Sequence, residues 1–340
     1  MNNSRPSRTR LRTRRPLVSV CIVNWNCRAQ LKRCLRSLHR RHQRLRLEIL
    51  VVDNASTDGA PEMVAARFPH VQLLRNTENV GYARACNQAA RQARGRYLFF
   101  LNNDTLIPPG TLRRLVTQAR RVPNLGLLGP QLRDGRGRIQ RSVRTRPTVS
   151  ALCHRVTFLR WTGLFRHAHD GFRGDRIHPE AAPDLQPAEV MMGAAFLMPR
   201  QVWQSIGGWS EAYAFGGEDI DLCLRVARAK HAVLHDPDTS IIHLGRVASR
   251  QRPDFVLGKT LVGITRSLRV AGTTPAASGW AIAGYKLAFT LDVPLRLGVL
   301  SARWLWGRLR GKTRSAERAW LDLVGLTRFV RNDLVSFWRA

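Results

Sequence analysis

The chain has 340 residues, of which 44% are hydrophobic, so it can bury a sizeable core and is not a disordered protein. Its 56 lysines and arginines against 23 acidic residues give a net charge of +33, which favours anionic partners such as nucleic acid, acidic lipid headgroups or phosphorylated substrates. The six cysteines lack paired CxxC spacing and lie in apolar segments, which indicates reduced core cysteines and argues against a zinc cluster or a disulfide framework.

The N-terminal residues 1–15 contain six arginines and almost no apolar side chains, which predicts a solvated, disordered basic arm. The apolar run that follows ends at Asn24 without a small-residue cleavage site, so it is interpreted as a strand and not as a signal peptide. The longest apolar stretch, residues 279–306, contains four charged side chains and does not predict a spanning helix. We therefore expect a cytoplasmic protein, in the cytosol or peripheral on the inner face of the membrane.

Four alternations of a strand pattern with a helix pattern follow from Pro16 onward. The strand-like runs read LVSVCIV, LEILVV, VQLLR and YLFFL, and an amphipathic helical pattern comes after each of them. Such alternation predicts parallel strands joined by helical crossovers. The predicted fold class is therefore α/β, with a doubly wound, mostly parallel sheet.

Ligands of such sheets bind beyond the carboxyl ends of the strands. The four predicted strand ends carry amide and acidic side chains, in a chain that is otherwise strongly basic. No GxGxxG follows the first strand and no GxxxxGK[ST] occurs anywhere, so the phosphate cradles of dinucleotide-binding and P-loop proteins are excluded. The polar strand-end residues are Asn24, Asn26, Asp53, Asn54, Asp58, Asn76, Asn79, Asn102, Asn103 and Asp104.

Two acids at these ends have both a functional and a structural interpretation. Asp53 directly follows a buried strand, where it could accept hydrogen bonds from a base or a ribose, or could only shape the turn. Asp104 could bind Mg²⁺ or Mn²⁺ if a substrate diphosphate supplies further oxygens, or could be an ordinary turn residue before Pro108. For Asp53 the turn alternative is the weaker one, because the acid directly follows a buried strand, whereas for Asp104 the residue pattern leaves both alternatives open.

The segment from about 124 to 187 is rich in Gly, Arg and Pro and predicts turns and loops. Order returns with EVMMGAAFLMPRQVWQSIGG and FGGEDIDLCLRVARA. In the second run Asp219 shares a helical face with Leu222 and Val226, so it is predicted to face the interior or a cleft, as a candidate general base. The alternative, an acid that complements the helix dipole, fits Glu218 better.

His243 follows the apolar run SII and is a candidate metal ligand through a neutral imidazole ring. The alternative is a hydrogen-bonded core histidine, because the chain has ten histidines and most histidines in proteins bind no metal. The residue pattern alone favours that alternative.

The ordered set of motifs resembles the family 2 inverting glycosyltransferases of the GT-A fold, in their rhamnosyltransferase-like branch. The motifs run from Val18 to His243 and read VSVCIVNWN, VVDNASTDG, NVGYARACNQA, FLNNDT, MGAAFLM, GGW and GGEDIDLCLRVARA. The resemblance implies transfer of a sugar from a nucleoside diphosphate donor, dTDP-rhamnose or a UDP-sugar. It implies as acceptor a hydroxyl of a cell-envelope glycan or of a lipid-linked acceptor.

The same resemblance implies a role for each site residue. Asp219 matches the catalytic base, and Asp104 and His243 match ligands of a divalent metal, Mg²⁺ or Mn²⁺. The sequence departs from the family's DxD motif at Asn102, which stands where the first Asp is usual. Residues matched to nucleotide-sugar binding are Asn24, Asp53, Asn79, Gly81 and Asn102. Residues matched to acceptor binding are Gly193, Trp209 and Glu218.

The predicted organisation has four parts. They are a basic disordered arm at 1–15, a nucleotide-sugar-binding half at 16–125, an acceptor-binding half with the catalytic base at 126–250, and a basic amphipathic helical extension at 251–340. The extension contains helical stripes of Leu and Trp beside repeated arginines, a pattern of helices that lie on an anionic membrane surface. The alternative is a set of helices that packs on the catalytic domain, which periodicity alone cannot distinguish.

Two rival functions were weighed. A nucleic-acid-binding protein would explain the charge of +33, but the sequence has no RNP, helix-turn-helix or zinc-finger pattern and its acids gather at the strand ends. A non-catalytic sugar-nucleotide-binding protein would be favoured by loss of Asp104 or Asp219, and both are present. A glycosyltransferase is therefore the predicted function.

Overall fold

A computed structural model describes residues 15–41, 45–156, 162–174, 184–245, 253–271 and 279–340. The predicted basic arm lies outside these residues except for Arg15, whose carbonyl accepts a hydrogen bond from Arg46 Nη1 at 3.1 Å. The strands are β1 (Val18–Asn24), β2 (Leu47–Asn54), β3 (Gln72–Asn76), β4 (Tyr97–Asn102), β5 (Thr105–Leu106), β6 (Leu125–Arg133), β7 (Val143–Arg144), β8 (Gln186–Pro187), β9 (Val190–Met191), β10 (Ala195–Pro199) and β11 (Ala232–His243).

The helices include one between each pair of consecutive parallel strands from β1 to β4, as the alternating pattern predicts. They are α1 (Arg28–Arg41), α2 (Ala60–Arg67), α3 (Tyr82–Gln92), α4 (Thr111–Arg121), α5 (Val149–Val156), α6 (Arg166–Arg173), α7 (Arg200–Ser205), α8 (Glu218–Arg228), α9 (Pro253–Ala271), α10 (Gly279–Leu309), α11 (Thr313–Arg328) and α12 (Leu334–Arg339). A π-helical turn, Phe329–Asp333, joins the last two.

One mixed, mostly parallel sheet forms the centre of the protein. Its strand order is β3-β2-β1-β4-β10-β6-β11-β5, and β8 pairs with β11. Strand β10 runs antiparallel to both β4 and β6, whereas β6 and β11 are parallel. The predicted α/β fold class with a mostly parallel sheet is confirmed. The sheet takes strands from both predicted halves, 16–125 and 126–250, so these share one sheet, and the boundary between them stays a prediction.

The register brings the predicted polar strand ends together. Asn24 is the partner of Asp53 across β1 and β2, and Val23 is the partner of Asn102 across β1 and β4. Apolar side chains fill the core on both faces of the sheet, from α1, α2 and α4 on one face and from α3, α8 and the C-terminal helices on the other. The polar ends therefore stand on a rigid base at a single edge.

The expectation of loops from 124 to 187 is wrong at five elements, which are β6, β7, α5, α6 and β8. Strand β6 lies inside the sheet, and Arg166–Arg173 forms α6. The glycines that suggested turns in β6 are required by packing, because a Cβ on Gly126 would lie 2.2 Å from Val226 Cγ1 and one on Gly129 would lie 2.7 Å from Met191 Sδ. A strand that packs this closely against its neighbours can use glycine in its interior.

The C-terminal helices pack on the domain that contains the sheet by one face. Helix α9 lies against the start of α8, where a Cβ on Gly263 would fall 1.8 Å from the carbonyl oxygen of Gly216. Helices α10 and α11 form a hairpin in which the rings of Trp304 and Trp320 are 5.5 Å apart. None of the helices in the described ranges is both long enough and apolar enough to cross a bilayer.

Candidate active site

The loop after β2 is held by a buried hydrogen-bond network. Asp53 is 2% exposed, and its carboxylate accepts hydrogen bonds from Asn24 Nδ2 at 2.9 Å and from the backbone N–H and hydroxyl of Ser56 at 2.8 and 2.7 Å. Asn24 Oδ1 in turn accepts a hydrogen bond from Asn103 Nδ2 at 2.8 Å. Asp53 therefore fixes the loop in this structure, and its direct contact with a nucleotide base stays a prediction.

The start of α3 forms the next part of the same edge. Asn79 Oδ1 accepts the Gly81 N–H at 3.0 Å, and the Gly81 carbonyl accepts a hydrogen bond from Asn54 Nδ2 at 3.3 Å. Gly81 has φ +87°, a region that L side chains rarely adopt, so glycine is needed for this turn. Hydrogen bonds thus connect Asn79 and Gly81 to the end of β2, as expected for residues that belong to one site.

Asp104 and His243 face each other across a short gap. Both are buried, and His243 Nε2 lies 3.4 Å from Asp104 Oδ1. Gln140 fixes the ring: its Nε2 donates to the His243 carbonyl at 2.7 Å, so its Oε1, 2.9 Å from His243 Nδ1, must be the acceptor for a proton on Nδ1. With Nδ1 directed at Gln140, Nε2 faces the Asp104 carboxylate.

A carboxylate oxygen and an imidazole nitrogen this close together are able to bind one cation between them. A histidine that donates its other N–H to an oxygen is also the usual arrangement at a metal ligand. No cluster of three or more His, Cys, Asp or Glu is found in the part of the chain that the structure describes, so a metal held here would take its remaining ligands from substrate or water. Asp104 and His243 fit a divalent cation on these terms.

The acids at the start of α8 have different environments. Asp219 Oδ2 accepts the Gly193 N–H at 3.2 Å, its Oδ1 accepts the Ile220 N–H at 2.9 Å, and its side chain is partly exposed. Glu218 Oε2 is buried and has no hydrogen-bond partner among the described residues. Burial, and then the neighbouring Asp219 carboxylate, raises the pKa of Glu218 to about 8. Burial therefore favours the protonated form of Glu218, whereas both oxygens of Asp219 accept backbone N–H groups and its side chain is partly exposed.

The third acid, Asp221, is a structural residue. It is buried, and its Oδ2 forms an ion pair with Arg225 Nε at 2.7 Å. A helix start with three acids thus contains one buried ion pair, one buried carboxyl group and one accessible carboxylate. Contact of Glu218 with an acceptor stays a prediction.

Trp209 and its aromatic neighbours pack next to Gly193. Trp209 is 1% exposed and packs edge-on against Tyr82 and Phe100, with ring centroids 5.6 and 5.2 Å away. The Tyr82 hydroxyl donates to the Gly193 carbonyl at 3.3 Å, and burial raises the Tyr82 pKa well above its ordinary value, so the phenol stays neutral. A Cβ on Gly193 would lie 3.1 Å from Asp219 Cβ. Trp209 is therefore buried behind Gly193, and its contact with an acceptor stays a prediction.

One short backbone segment links the metal-binding candidates to the acid of α8. The Asn102 N–H donates to the Ala194 carbonyl at 2.9 Å, two residues before Asp104. The adjacent Gly193 N–H donates to Asp219. The predicted base Asp219 and the strand end that precedes Asp104, which are more than a hundred residues apart in sequence, are therefore both hydrogen-bonded to residues 193–194.

Three residues of this arrangement are not among the candidates predicted from the sequence. They are Ser56, Gln140 and Tyr82. Gln140 lies 103 residues from His243 in sequence, and no spacing or motif indicates that contact. Only the folded chain shows it.

Comparison with known proteins gives a consistent set of matches. Residues 19–178 match the model of the family described as Glycosyl transferase family 2. The chain is 28% identical over 239 residues, 67% of its length and 76% of the relative's, to an N-acetylglucosaminyl-diphospho-decaprenol L-rhamnosyltransferase of Mycobacterium tuberculosis. It is 29% identical over 237 residues, 67% of its length and 17% of the relative's, to the O-antigen biosynthesis protein RfbC of Myxococcus xanthus.

Solved structures share the fold. A mannosyltransferase from Pyrobaculum calidifontis, solved with GDP-Man and Mn²⁺, superposes with a TM-score of 0.54 at 20% identity and covers 95% of this chain and 88% of its own. GalNAc-T7, solved with UDP, GalNAc and Mn²⁺, gives a TM-score of 0.55 at 15% identity, over 83% of this chain and 56% of its own. At these identities the likeness concerns the fold alone.

Proposed function

Because the chain belongs to glycosyltransferase family 2, through its domain at residues 19–178, we propose that it transfers a sugar with inversion from a nucleoside diphosphate to a hydroxyl of a lipid-linked acceptor. The observation that carries this proposal is the arrangement around residues 193–194. It holds an accessible carboxylate, Asp219, on one side and the facing pair Asp104 and His243 on the other. A base and a site for a leaving diphosphate are what a single displacement at a sugar carbon requires.

In the proposed step Asp219 takes the proton of the acceptor hydroxyl. The hydroxyl oxygen forms a bond to the anomeric carbon, while the bond from that carbon to the donor phosphate oxygen breaks. The electron pair leaves with the nucleoside diphosphate. The hydrogen bond from the Gly193 N–H to Asp219 Oδ2 orients the carboxylate without using all of its lone pairs, so one remains for the proton.

Glu218 assists by remaining neutral. With its pKa raised to about 8, it adds no second negative charge beside Asp219 at neutral pH. A carboxyl group whose pKa is raised by burial, next to a second acid, is a common arrangement at acid–base sites.

Asp104 and His243 would hold Mg²⁺ or Mn²⁺, with diphosphate oxygens completing the coordination. The chemistry that such an ion supplies is neutralisation of the charge on the departing diphosphate. Gln140 keeps the Nε2 lone pair of His243 directed at this position. Asn102, which stands where the DxD motif has its first acid, adds no further negative charge.

Donor and acceptor classes are proposed from the relatives. The Mycobacterium relative is named for transfer of L-rhamnose to N-acetylglucosaminyl-diphospho-decaprenol, and it aligns with 67% of this chain. We take dTDP-rhamnose or a UDP-sugar as donor and a polyprenyl-diphosphate-linked glycan of the cell envelope as acceptor.

The outer face of α10 supports a peripheral membrane location. Apolar residues recur along it at helical spacing and stand in solvent, with Trp280 89% and Leu309 73% exposed. Those between the two ends are Leu287, Leu291, Leu295 and Leu305, joined by the exposed small residues Gly284, Gly298 and Ala302. Exposed arginines lie beside the stripe at its C-terminal end, which suits an anionic bilayer surface.

Nucleotide binding tests the function. The purified chain and an Asp104→Asn variant would be titrated calorimetrically with UDP, dTDP and GDP, each with and without Mn²⁺. The proposal expects one nucleotide to bind in a Mn²⁺-dependent manner and the variant to lose that dependence. Absence of binding by all three, together with tight binding of duplex DNA at physiological salt, would instead support a nucleic-acid-binding protein.

A further inference from the structure

A cavity of about 1130 Å³ opens beside His243 and Gln140. Its described lining holds a single carboxylate, Asp134, which already pairs with an arginine at 2.7 Å. Such an excess of positive charge in a concave wall favours an anionic ligand. The five arginines of the lining are Arg138, Arg141, Arg144, Arg155 and Arg173.

Arg144 shows that this wall has unused hydrogen-bonding capacity. Strand β7 carries it, and β7 pairs with β9 so that Arg144 is the register partner of Val190. Its Nε is buried and has no hydrogen-bond partner among the described residues. A buried guanidinium N–H without an acceptor costs free energy, and phosphate oxygens are acceptors that match guanidinium geometry.

The wall is built on a fixed frame. The Thr145 N–H donates to the Gly171 carbonyl at 3.2 Å, and a Cβ on Gly174 would lie 2.3 Å from the Val143 carbonyl oxygen, so the end of α6 is packed directly on β7. The guanidinium carbon of Arg155 stands 5.6 Å from the ring centre of the buried Phe172. The cavity thus combines charged groups with an aromatic surface.

The position of the cavity relates it to the acceptor. Its lining includes His243 and Met192, and the residue after Met192 is Gly193, which donates to Asp219. An acceptor whose hydroxyl lies at Asp219 would therefore extend into the cavity. Helix α5, which contributes Arg155 to the lining, packs on α10, the helix with the exposed apolar face.

We propose that this cavity binds the phosphate or diphosphate group of the acceptor, between the reacting centre and the membrane-facing helix. The inference rests on the proposed function, because it deepens the identity of the acceptor. The donor also carries a diphosphate, and the experiment must separate these two sources of the same chemistry.

Calorimetry of the full chain in EDTA, where metal-bound phosphate contributes nothing, provides the test. Geranyl diphosphate is expected to bind, and geraniol to bind at least about tenfold more weakly. Arg144→Gln is expected to weaken the binding of geranyl diphosphate by about tenfold or more, because a hydrogen bond to a charged group is lost. Arg136→Gln, at an exposed arginine of the turn between β6 and β7 that is outside the lining, should leave the affinity unchanged. Arg141→Gln gives the same test if Arg144→Gln does not fold.

Nucleotide titrations with Mn²⁺ on the same variants separate donor from acceptor. Unchanged nucleotide affinity in Arg144→Gln supports the proposal. Equal affinity of wild type and Arg144→Gln for geranyl diphosphate overturns it, and so does a parallel loss of nucleotide affinity, which would assign the cavity to the donor. A third result separates the two proposals. If the wild-type chain binds geranyl diphosphate in an Arg144-dependent manner but binds no nucleotide, the proposed function is overturned and the cavity remains an anion-binding site.

Discussion

The carboxylate of Asp104 faces the imidazole ring of His243, with Oδ1 3.4 Å from Nε2, although the two residues are 139 positions apart in the sequence. Strand β11 places the histidine there, because its last residue pairs with Thr105, the residue that follows the acid. Gln140 completes the arrangement, because its Oε1 accepts a hydrogen bond from Nδ1. The pair is thus oriented before any ligand binds.

Replacement of Gln140 tests that orientation. Gln140→Ala frees the ring to rotate or to change tautomer, so Mn²⁺ affinity should fall roughly 10- to 100-fold, the usual cost of losing a partner behind a metal ligand. Electron paramagnetic resonance of free Mn²⁺ in the presence of nucleoside diphosphate measures the affinity without an activity assay. Gln118→Ala on α4 is the matched control. Equal affinities of the two variants would show that Gln140 does not orient the site.

The first half of the fold could be predicted from sequence because its signals are local. Each strand from β1 to β4 contains a short apolar run, a helical pattern follows each strand, and the polar residues come where parallel strands end. Asn24, Asp53 and Asn102 therefore came together as expected. Strand β6 was not predicted because its glycines are required by close packing against side chains of α8 and β9, which are distant in sequence.

Within the site, residue identity was predictable but environment was not. A helical wheel separated Asp219 from Glu218, yet it suggested that Glu218 was an ordinary acid of the first turn. The structure buries one oxygen of Glu218 because α9 packs against the glycines that precede α8. Helix α9 lies beyond the last motif, so its effect on the acid pair requires the tertiary structure.

Asp219→Asn should abolish most turnover while preserving donor binding. Asparagine keeps the size of the side chain and can still accept the Gly193 N–H, but it cannot take a proton, so kcat should fall by roughly 10²-fold or more. The nucleotide affinity measured by calorimetry serves as the internal control for folding. Near-normal turnover in a folded variant would remove Asp219 from the role of base.

Glu218 predicts a characteristic dependence of stability on pH. In the unfolded chain the carboxyl group ionises near pH 4.5, whereas in the folded chain it keeps its proton until about pH 8. Between these values the unfolded state loses a proton that the folded state retains, so stability falls as pH rises. Relative to Glu218→Gln, the wild type should lose Tm progressively from about pH 5 to pH 8 and change little beyond.

Thermal unfolding of both proteins across this pH range gives the comparison. Parallel curves for wild type and Glu218→Gln would mean that the carboxyl group ionises normally in the folded protein. The difference between the two curves matters here, because other groups contribute equally to both.

The outer face of α10 predicts binding to anionic vesicles. Leu287→Ser combined with Leu291→Ser removes two exposed apolar side chains, so cosedimentation with phosphatidylglycerol-containing vesicles should weaken by roughly tenfold or more. Leu164→Ser, an exposed leucine outside the C-terminal helices, should have no effect. Binding by wild type should also weaken with added salt, because the charges are screened. Vesicle binding that is unchanged in the double variant would exclude this face as the membrane contact.

Direct transfer of sugar is the measurement that tests the account most closely. The wild-type chain and Asp219→Asn would be incubated with radiolabelled dTDP-rhamnose or UDP-sugars, Mn²⁺ and a polyprenyl-diphosphate-linked acceptor, and the labelled lipid would be extracted. The account predicts labelled lipid with inverted anomeric configuration from the wild type and a loss of roughly 10²-fold in Asp219→Asn. Retained configuration, or equal transfer by both proteins, would contradict a single displacement with Asp219 as base.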